Sequence, residues 1–135
     1  MASKGGQPLG KGEIGALGED LAARHLRSQG AKVLYRNFRA PQGGEVDLVC
    51  RDGEVLAFIE IKTRTNAEAG AGMRAVDAEK QALILRGGRE WLRMLPNRES
   101  ITFRYDVVEV LLAEGKPPVF HWIKAAFSLP KGHRF

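Results

Sequence analysis

The chain has 135 residues, of which 44% are hydrophobic and 27% are charged, so it is long enough to bury one hydrophobic core. Its single cysteine, Cys50, excludes a disulfide framework and a cysteine-rich zinc module. No apolar run reaches the roughly 18–20 residues of a membrane span, and the N-terminal sequence lacks the apolar core of a secretory signal. We therefore expect one soluble, cytoplasmic domain over 12–128, with a flexible arm at 1–11 and a tail at 129–135.

The net charge is +5, from 21 lysines and arginines against 16 aspartates and glutamates. A basic excess of this size favours a polyanionic partner such as nucleic acid, but many small basic proteins bind none. Charge alone therefore leaves the partner open.

The first half of the chain predicts a helix followed by three strands. Apolar residues recur at helical spacing over 13–29, and Gly30 follows as a stop signal. Asp52-Gly53 is typical of a hairpin turn between the second and third strands. The three predicted strands are Lys32–Phe38, Glu45–Cys50 and Glu54–Lys62.

The second half predicts a loop, a helix and two strands. Residues 63–75 are polar and rich in Gly and Ala, which favours a mobile loop. Residues 76–95 have helical periodicity, but Gly87-Gly88 predicts a kink or a break within that helix. Strands at Ile101–Leu112 and Val119–Ile123 complete the order α-β-β-β-α-β-β, which implies an α/β fold with a mixed sheet flanked by helices.

The third predicted strand changes character along one face. Leu56 and Phe58 begin this face, which then continues as Glu60 and Lys62. A strand that is covered on both sides should stay apolar to its end, so this switch indicates a candidate site. A salt bridge between Glu60 and Lys62 on a solvated strand end is the alternative.

The second predicted strand places two acids, Glu45 and Asp47, on one face. A symmetric two-residue turn at Asp52-Gly53 would set Glu45 opposite Glu60 and make Asp47 the diagonal neighbour of Glu60. Carboxylates that are close together and shielded from water repel one another and require a cation. Mg²⁺ or Mn²⁺ suits such oxygen ligands, and Lys62 would then orient a water or neutralise a phosphate.

The remaining reactive side chains give weaker signals. Glu19 lies about 20° beyond the apolar stripe of its helix, so it is either a boundary residue or an acid that points along the core margin. Arg104 and Asp106 share a strand face and could pair, whereas His121 has no ligand partner at a useful spacing. Cys50 lies on the apolar face of its strand, which predicts an inert buried thiol.

Four segments between Gly12 and Arg64 resemble a known family when they are taken in order. The segments GEIGALGEDLAARHLRSQG, YRNFR, GEVDLVCRDG and LAFIEIKTR are similar to the YraN-like family of uncharacterised bacterial proteins. That family resembles archaeal Holliday-junction resolvases and the PD-(D/E)xK nuclease superfamily. The resemblance therefore implies a restriction-endonuclease-like α/β fold, and it continues more loosely to the C-terminus.

The superfamily motif, an aspartate followed later by Glu-x-Lys, falls on Asp47, Glu60 and Lys62. The resemblance implies that Asp47 and Glu60 bind Mg²⁺ or Mn²⁺, with the Ile61 carbonyl as a further ligand. It also implies that Lys62 positions the attacking water. The helix acid of the resolvase-like branch falls on Glu19, which would complete the site directly or through water.

Two positions depart from the superfamily pattern. Val46 stands where many members carry a proline that does no chemistry. Glu45 is additional, and it is either a second metal ligand or a capping acceptor for the Gly43-Gly44 turn.

These features together predict a metal-dependent endonuclease that acts on DNA, with branched DNA as one candidate substrate. A module that keeps the fold and binds nucleic acid without cleaving it is the alternative, and a metal-stabilised adaptor for a protein partner is a third. No membrane partner is expected, and a homodimer that uses an edge or face of 101–112 is implied by the junction-cutting relatives. The predicted contacts to the nucleic-acid backbone are Arg36, Arg39, Arg64, Arg74 and Lys80.

Overall fold

The computed structural model describes residues 9–65 and 78–127, whose elements follow the predicted order. The two helices are α1 (Lys11–Ser28) and α2 (Ala78–Arg93), and a short 3-10 helix at Arg98–Ser100 follows α2. The five strands are β1 (Lys32–Arg39), β2 (Glu45–Asp52), β3 (Val55–Thr65), β4 (Phe103–Leu112) and β5 (Val119–Phe127).

The strands form a single mixed sheet in the order β1-β2-β3-β4-β5. Neighbouring strands are antiparallel except β3 and β4, which are parallel and are connected in the chain through α2. Because β3 and β5 flank β4, both edges of β4 are paired within the chain. The predicted use of 101–112 as an edge for self-association is therefore wrong.

One helix covers each face of the sheet. α1 buries Ala22 and Leu26 in a cluster that includes Ile59 of β3. α2 buries Ile84 in a second cluster, which includes Phe58 on the opposite face of the same strand. The apolar run along β3 is explained by this double coverage, and the layout is the restriction-endonuclease-like sheet flanked by helices that the resemblance implied.

α2 is continuous through Gly87-Gly88, so the predicted kink or break is wrong. Both glycines are buried against the sheet. A Cβ atom on Gly87 would lie 2.7 Å from Val46 Cγ2, and one on Gly88 would lie 2.6 Å from Tyr105 Oη. The missing side chains therefore let α2 lie directly on the sheet, which offsets the low helix propensity of glycine.

The turn between β2 and β3 lies one residue later than predicted. It contains Gly53 and Glu54, so Asp52 stays in the strand and pairs with Val55. Gly53 has a φ of 62°, a left-handed conformation that glycine adopts without steric cost.

Two further predicted boundaries differ from the structure. Residues 63–65 continue β3 and are not part of a loop, whereas 66–75 lie outside the described residues. β5 extends to Phe127, beyond the predicted end at Ile123. The first eight residues of the predicted arm and the tail at 129–135 also lie outside the described residues. Neither described helix combines the length and apolar character needed to cross a membrane.

Candidate functional site

Close packing of α1 on the sheet at Gly18 brings the acidic residue Glu19 close to the sheet. A Cβ atom on Gly18 would collide with the side chain of Thr63, so α1 approaches β3 closely only because this residue is glycine. The next residue, Glu19, is partly buried. Burial and then the charge of Asp47 raise the pKa of the Glu19 carboxyl. Glu19 therefore lies close to Asp47 at the margin of the core.

Asn37 is a site residue that the sequence analysis did not identify. It lies on β1 with a φ of 56°, a conformation that asparagine tolerates better than most residues. Its side-chain amide interacts with the Glu19 carboxyl and lowers the pKa of Glu19 against the effect of burial. No local motif marks this residue, because its role depends on the pairing of β1 with β2 and on the approach of α1.

β2 and β3 separate where the acids of the motif lie. Their ladder ends at the pair Leu48 and Ile59, and its continuation would set Asp47 opposite Glu60 and not on the predicted diagonal. At this point Asp47 Oδ2 accepts a hydrogen bond of 2.8 Å from the backbone N–H of Ile61. The Asp47 side chain is thus held in the gap between the two strands.

Glu60 is buried, with 7% of its surface exposed. Burial, followed by the charge of Asp47 and a hydrogen bond with it, raises the pKa of the Glu60 carboxyl to about 7. Lys62 and Lys80 act in the opposite direction. Lys62 Nζ lies 3.7 Å from Glu60 Oε1, which is a loose ion pair. Two carboxyl groups in contact, with the ammonium of Lys62 held loosely beside them, are an arrangement that a divalent cation would stabilise.

The donor set suits a small, hard cation. Asp47, Glu60 and the Ile61 carbonyl offer the oxygen atoms that Mg²⁺ and Mn²⁺ prefer. In residues 9–65 and 78–127, no three His, Cys, Asp or Glu side chains are arranged to hold one ion. Mg²⁺ keeps several waters when it binds to proteins, so two carboxylates and a carbonyl are sufficient, and Glu19 fits a contact through water. The residues therefore fit the ion that the resemblance implies.

A cleft of about 750 Å³ is lined by Glu19, Ile61 and Lys62 of the candidate site, whereas Asp47 and Glu60 are not among its lining residues. Its walls come from the first half of α1, the end of β3 and the first turn of α2. Among the residues predicted to contact the nucleic-acid backbone, Arg64 and Lys80 lie on these walls, while Arg74 lies outside the described residues. The charged residues that line the cleft are Lys11, Glu19, Lys62, Arg64 and Lys80.

The other two residues predicted to contact the nucleic-acid backbone, Arg36 and Arg39, each form an ion pair with an acidic side chain. Arg36 Nη2 lies 2.6 Å from Asp20 Oδ1, and Arg39 Nη1 lies 2.5 Å from Glu45 Oε1. Continuation of the β2–β3 register sets Asp47 opposite Glu60, so the predicted position of Glu45 opposite Glu60 is wrong. Glu45 pairs with Arg39 across β1 and β2. The described contacts of Glu45 thus give it a role as an ion-pair partner.

A second acidic residue lies on the same face of the sheet as Lys62. Glu109 of β4 is the register partner of Lys62 across the parallel pair, and it is 4% exposed. His121 of β5 lies opposite Glu109, with its Nδ1 3.1 Å from Glu109 Oε1. His121 thus has a hydrogen-bond partner, although no group of three metal-ligating side chains forms among the described residues. The partner is twelve residues earlier in the chain, and only the pairing of β4 with β5 brings the two side chains together.

Comparison with known proteins identifies the family of the chain. Residues 18–110, which include the three acids and the lysine of the motif, match the family described as "Uncharacterised protein family UPF0102". A UPF0102 protein of Trichlorobacter lovleyi is 42% identical over 90% of this chain and 96% of its own length. A UPF0102 protein of Solibacter usitatus is 43% identical over 84% of each chain, and one of a Parafrankia species is 45% identical over 72% of this chain and 80% of its own. The chain therefore belongs to the UPF0102 family, which is the YraN-like family indicated by its sequence motifs.

Proposed function

We propose that this protein is a metal-dependent endonuclease that hydrolyses phosphodiester bonds in DNA. The observation that carries the proposal is the contact between the Asp47 and Glu60 carboxyls at the point where β2 and β3 separate, beside a basic cleft. A cation held by two carboxylates, together with nearby ammonium and guanidinium groups, matches the charge that gathers on a phosphodiester during hydrolysis.

The acids and their neighbours would hold the cation in a defined place. Asp47, Glu60 and the Ile61 carbonyl are the proposed ligands, and the N–H of Ile61 fixes the orientation of the Asp47 carboxylate. Glu19, oriented by Asn37, would complete the site through water. When bound, Mg²⁺ or Mn²⁺ supplies a water of lowered pKa and stabilises negative charge on the phosphoryl oxygens.

The basic side chains would bind the substrate and position the water. The ammonium of Lys62, beside Glu60, can donate a hydrogen bond to the attacking water or to a phosphate oxygen. Lys11, Arg64 and Lys80 line the cleft, where they would contact the backbone without reading base sequence. Branched DNA is a candidate substrate, and a homodimer is part of the proposal only through the resemblance to junction-cutting proteins.

The test is cleavage of labelled linear, flapped, single-stranded and four-way DNA in the presence of Mg²⁺, Mn²⁺ or EDTA. Wild-type protein is compared with Glu60→Gln, Asp47→Asn and the control Glu114→Gln, which changes an exposed residue of the β4–β5 turn. We expect cutting that requires the metal and that falls at least ~100-fold in the two site variants, with fold and DNA affinity retained. The control should cut like the wild type.

Absence of cutting by folded wild-type protein on all four substrates would contradict the proposal. Salt-dependent DNA binding that is indifferent to Mg²⁺ and to Glu60→Gln would then support the nucleic-acid-binding module. Absence of DNA binding at moderate salt would favour the adaptor for a protein partner.

A further inference from the structure

We propose that Glu109 receives the ammonium group of Lys62 when a divalent cation occupies the Asp47–Glu60 site. Glu109 is then a positioning residue for Lys62, and this inference rests on the proposed function. It concerns a residue outside the nuclease motif, on a strand that carries none of the proposed ligands.

The sheet places the two side chains next to each other. Lys62 and Glu109 are register partners in the parallel pair β3–β4, so their side chains leave the same face of adjacent strands. Adjacent strands are only about 4.8 Å apart, which is within the reach of a lysine side chain. Lys62 is itself largely buried, with 16% of its side chain exposed, so its ammonium stays close to the sheet.

The two carboxylate oxygens of Glu109 differ in their hydrogen bonding. Its Oε1 is 3.1 Å from Nδ1 of His121, which fixes the position of the carboxyl group. In the described part of the chain, Oε2 is buried and has no hydrogen-bond partner. A buried carboxylate oxygen without a donor costs free energy, so a donor that arrives at this point is stabilised.

Binding of a cation changes which carboxylate attracts the ammonium of Lys62 more strongly. Before binding, the ammonium of Lys62 is 3.7 Å from Glu60 Oε1, which is its only described acidic contact within 4 Å. A divalent ion on Glu60 neutralises that carboxylate and repels the ammonium, because both carry positive charge. Glu109 is the neighbouring carboxylate on the same face, and an ammonium with three donors can bond its free oxygen. The movement of Lys62 toward Glu109 therefore lowers the cost of binding the ion.

The test is Mg²⁺ affinity, measured by titration calorimetry on five proteins without DNA. These are the wild type, Glu109→Gln, Lys62→Met and the double variant, with Glu114→Gln as the control for loss of an exposed acid. We expect Glu109→Gln to weaken Mg²⁺ binding ~10-fold in the wild-type background, as is typical when a partner of the outer shell is lost. In the Lys62→Met background the same change should weaken Mg²⁺ binding less than about 2-fold, because this variant has no ammonium that must move to Glu109 when the ion binds.

An equal loss of affinity in both backgrounds would overturn the inference, because Glu109 would then act only through its charge. In that case the cleavage assay decides independently whether the proposed function stands. If wild-type protein binds neither Mg²⁺ nor Mn²⁺ in this titration, the inference fails, while the cleavage assay still decides the proposed function. Should Glu109→Gln not fold, as judged by circular dichroism, Glu109→Asp replaces it, since it keeps the charge but withdraws the carboxylate by one methylene. Its smaller loss of affinity must also disappear in the Lys62→Met background.

Discussion

Two buried acids on neighbouring parallel strands have opposite surroundings. Asp106 of β4 is fully buried, and every described contact of its carboxylate is with a donor. Arg104 Nε donates to both oxygens at 2.9 and 3.0 Å, Trp122 Nε1 donates at 2.9 Å, and the backbone N–H of Ala125 donates at 2.9 Å. Glu60 of β3 instead meets the carboxyl group of Asp47, and the ammonium of Lys62 is held loosely beside it.

The difference separates an acid that stabilises the fold from acids that are suited to bind an ion. A buried carboxylate with several donors is compensated within the protein, so its removal would leave Arg104 Nε and Trp122 Nε1 without their acceptor. The pair Asp47 and Glu60 is not compensated in this way, and its repulsion is relieved by a proton or by a cation. Strongly perturbed groups that lie in a cleft are typical of functional sites.

The Asp106 network also connects three strands. Arg104 Nη2 donates to Asp52 Oδ2 at 2.7 Å, and Lys124 Nζ lies 2.9 Å from the same oxygen. The end of β2 is thereby tied to β4 and β5. The predicted pairing of Arg104 with Asp106 is confirmed, and it is part of this larger arrangement.

The largest loss of stability is expected when the charge of Asp106, the acid with several hydrogen-bond donors, is removed. Asp106→Asn should lower the free energy of unfolding by about 3–5 kcal/mol, since it removes the fully buried negative charge beside Arg104 Nε and leaves Asp52 as the described acidic partner of Arg104. Equilibrium unfolding in urea at pH 7 measures this change. Glu114→Gln, at an exposed turn, serves as the control and should change stability by less than about 0.5 kcal/mol. A loss below about 1 kcal/mol in Asp106→Asn would show that the network contributes little.

Removal of the charge on Glu60 should raise the free energy of unfolding of the metal-free protein, whereas removal of the charge on Asp106 lowers it. The pKa of Glu60 is raised from 4.5 to about 7 in the fold, so the folded protein keeps a proton that the unfolded chain has released. Stability of the wild type should therefore fall as the pH rises from about 4.5 to 7, by on the order of 1–3 kcal/mol. Glu60→Gln cannot lose this proton and should be the more stable protein at pH 8.

Urea unfolding in EDTA between pH 4.5 and 8 measures this pH dependence. Addition of Mg²⁺ at pH 8 should restore stability to the wild type but not to Glu60→Gln, because binding to the folded state alone shifts the equilibrium. Parallel pH profiles for the two proteins in EDTA would rule out the repulsion between Asp47 and Glu60 as a source of instability.

The smallest effect is expected at the exposed end of the Asp106 network. Hydrogen bonds from Arg104 and then Lys124 hold the pKa of Asp52 below its usual value of 3.8. Its contribution to stability is therefore present above pH 3.8 and is lost as the pH falls further through the folded-state pKa. Asp52→Asn should cost less than about 1 kcal/mol at pH 7, because the ion pairs are partly solvated. Urea unfolding should show that this difference shrinks as the pH falls below 3.8, and a difference that is independent of pH in acid would contradict the explanation.

Periodicity and local motifs were sufficient to predict the order of the elements and the principal acids. Asp47, Glu60 and Lys62 lie on one hairpin, so their proximity follows from short connections in the chain. The approach of Glu19 follows from the apolar stripe of α1, which fixes the face that meets the sheet. Cys50 is buried as predicted, and burial raises the pKa of its thiol to about 12.

Predictions failed where contacts between distant segments overrode a local signal. Asp-Gly is a strong turn signal, yet Asp52 stays in β2, where Arg104 and Lys124 hold its carboxylate. Gly87-Gly88 is a helix-breaking signal, but close packing on the sheet keeps α2 continuous. The pairing of Glu109 with His121 could not be predicted, because it requires the register of β4 with β5.

The close packing of α2 also determines the width of the cleft. Lys80 lies eight residues before Gly88, which is about 12 Å along the same helix. A methyl group at Gly88 would meet Tyr105 and Phe58, so the helix would have to shift outward as a rigid rod and carry Lys80 away from Glu60. A search for altered activity by random mutagenesis should therefore recover changes at these glycines, although neither residue has a side chain to touch a substrate.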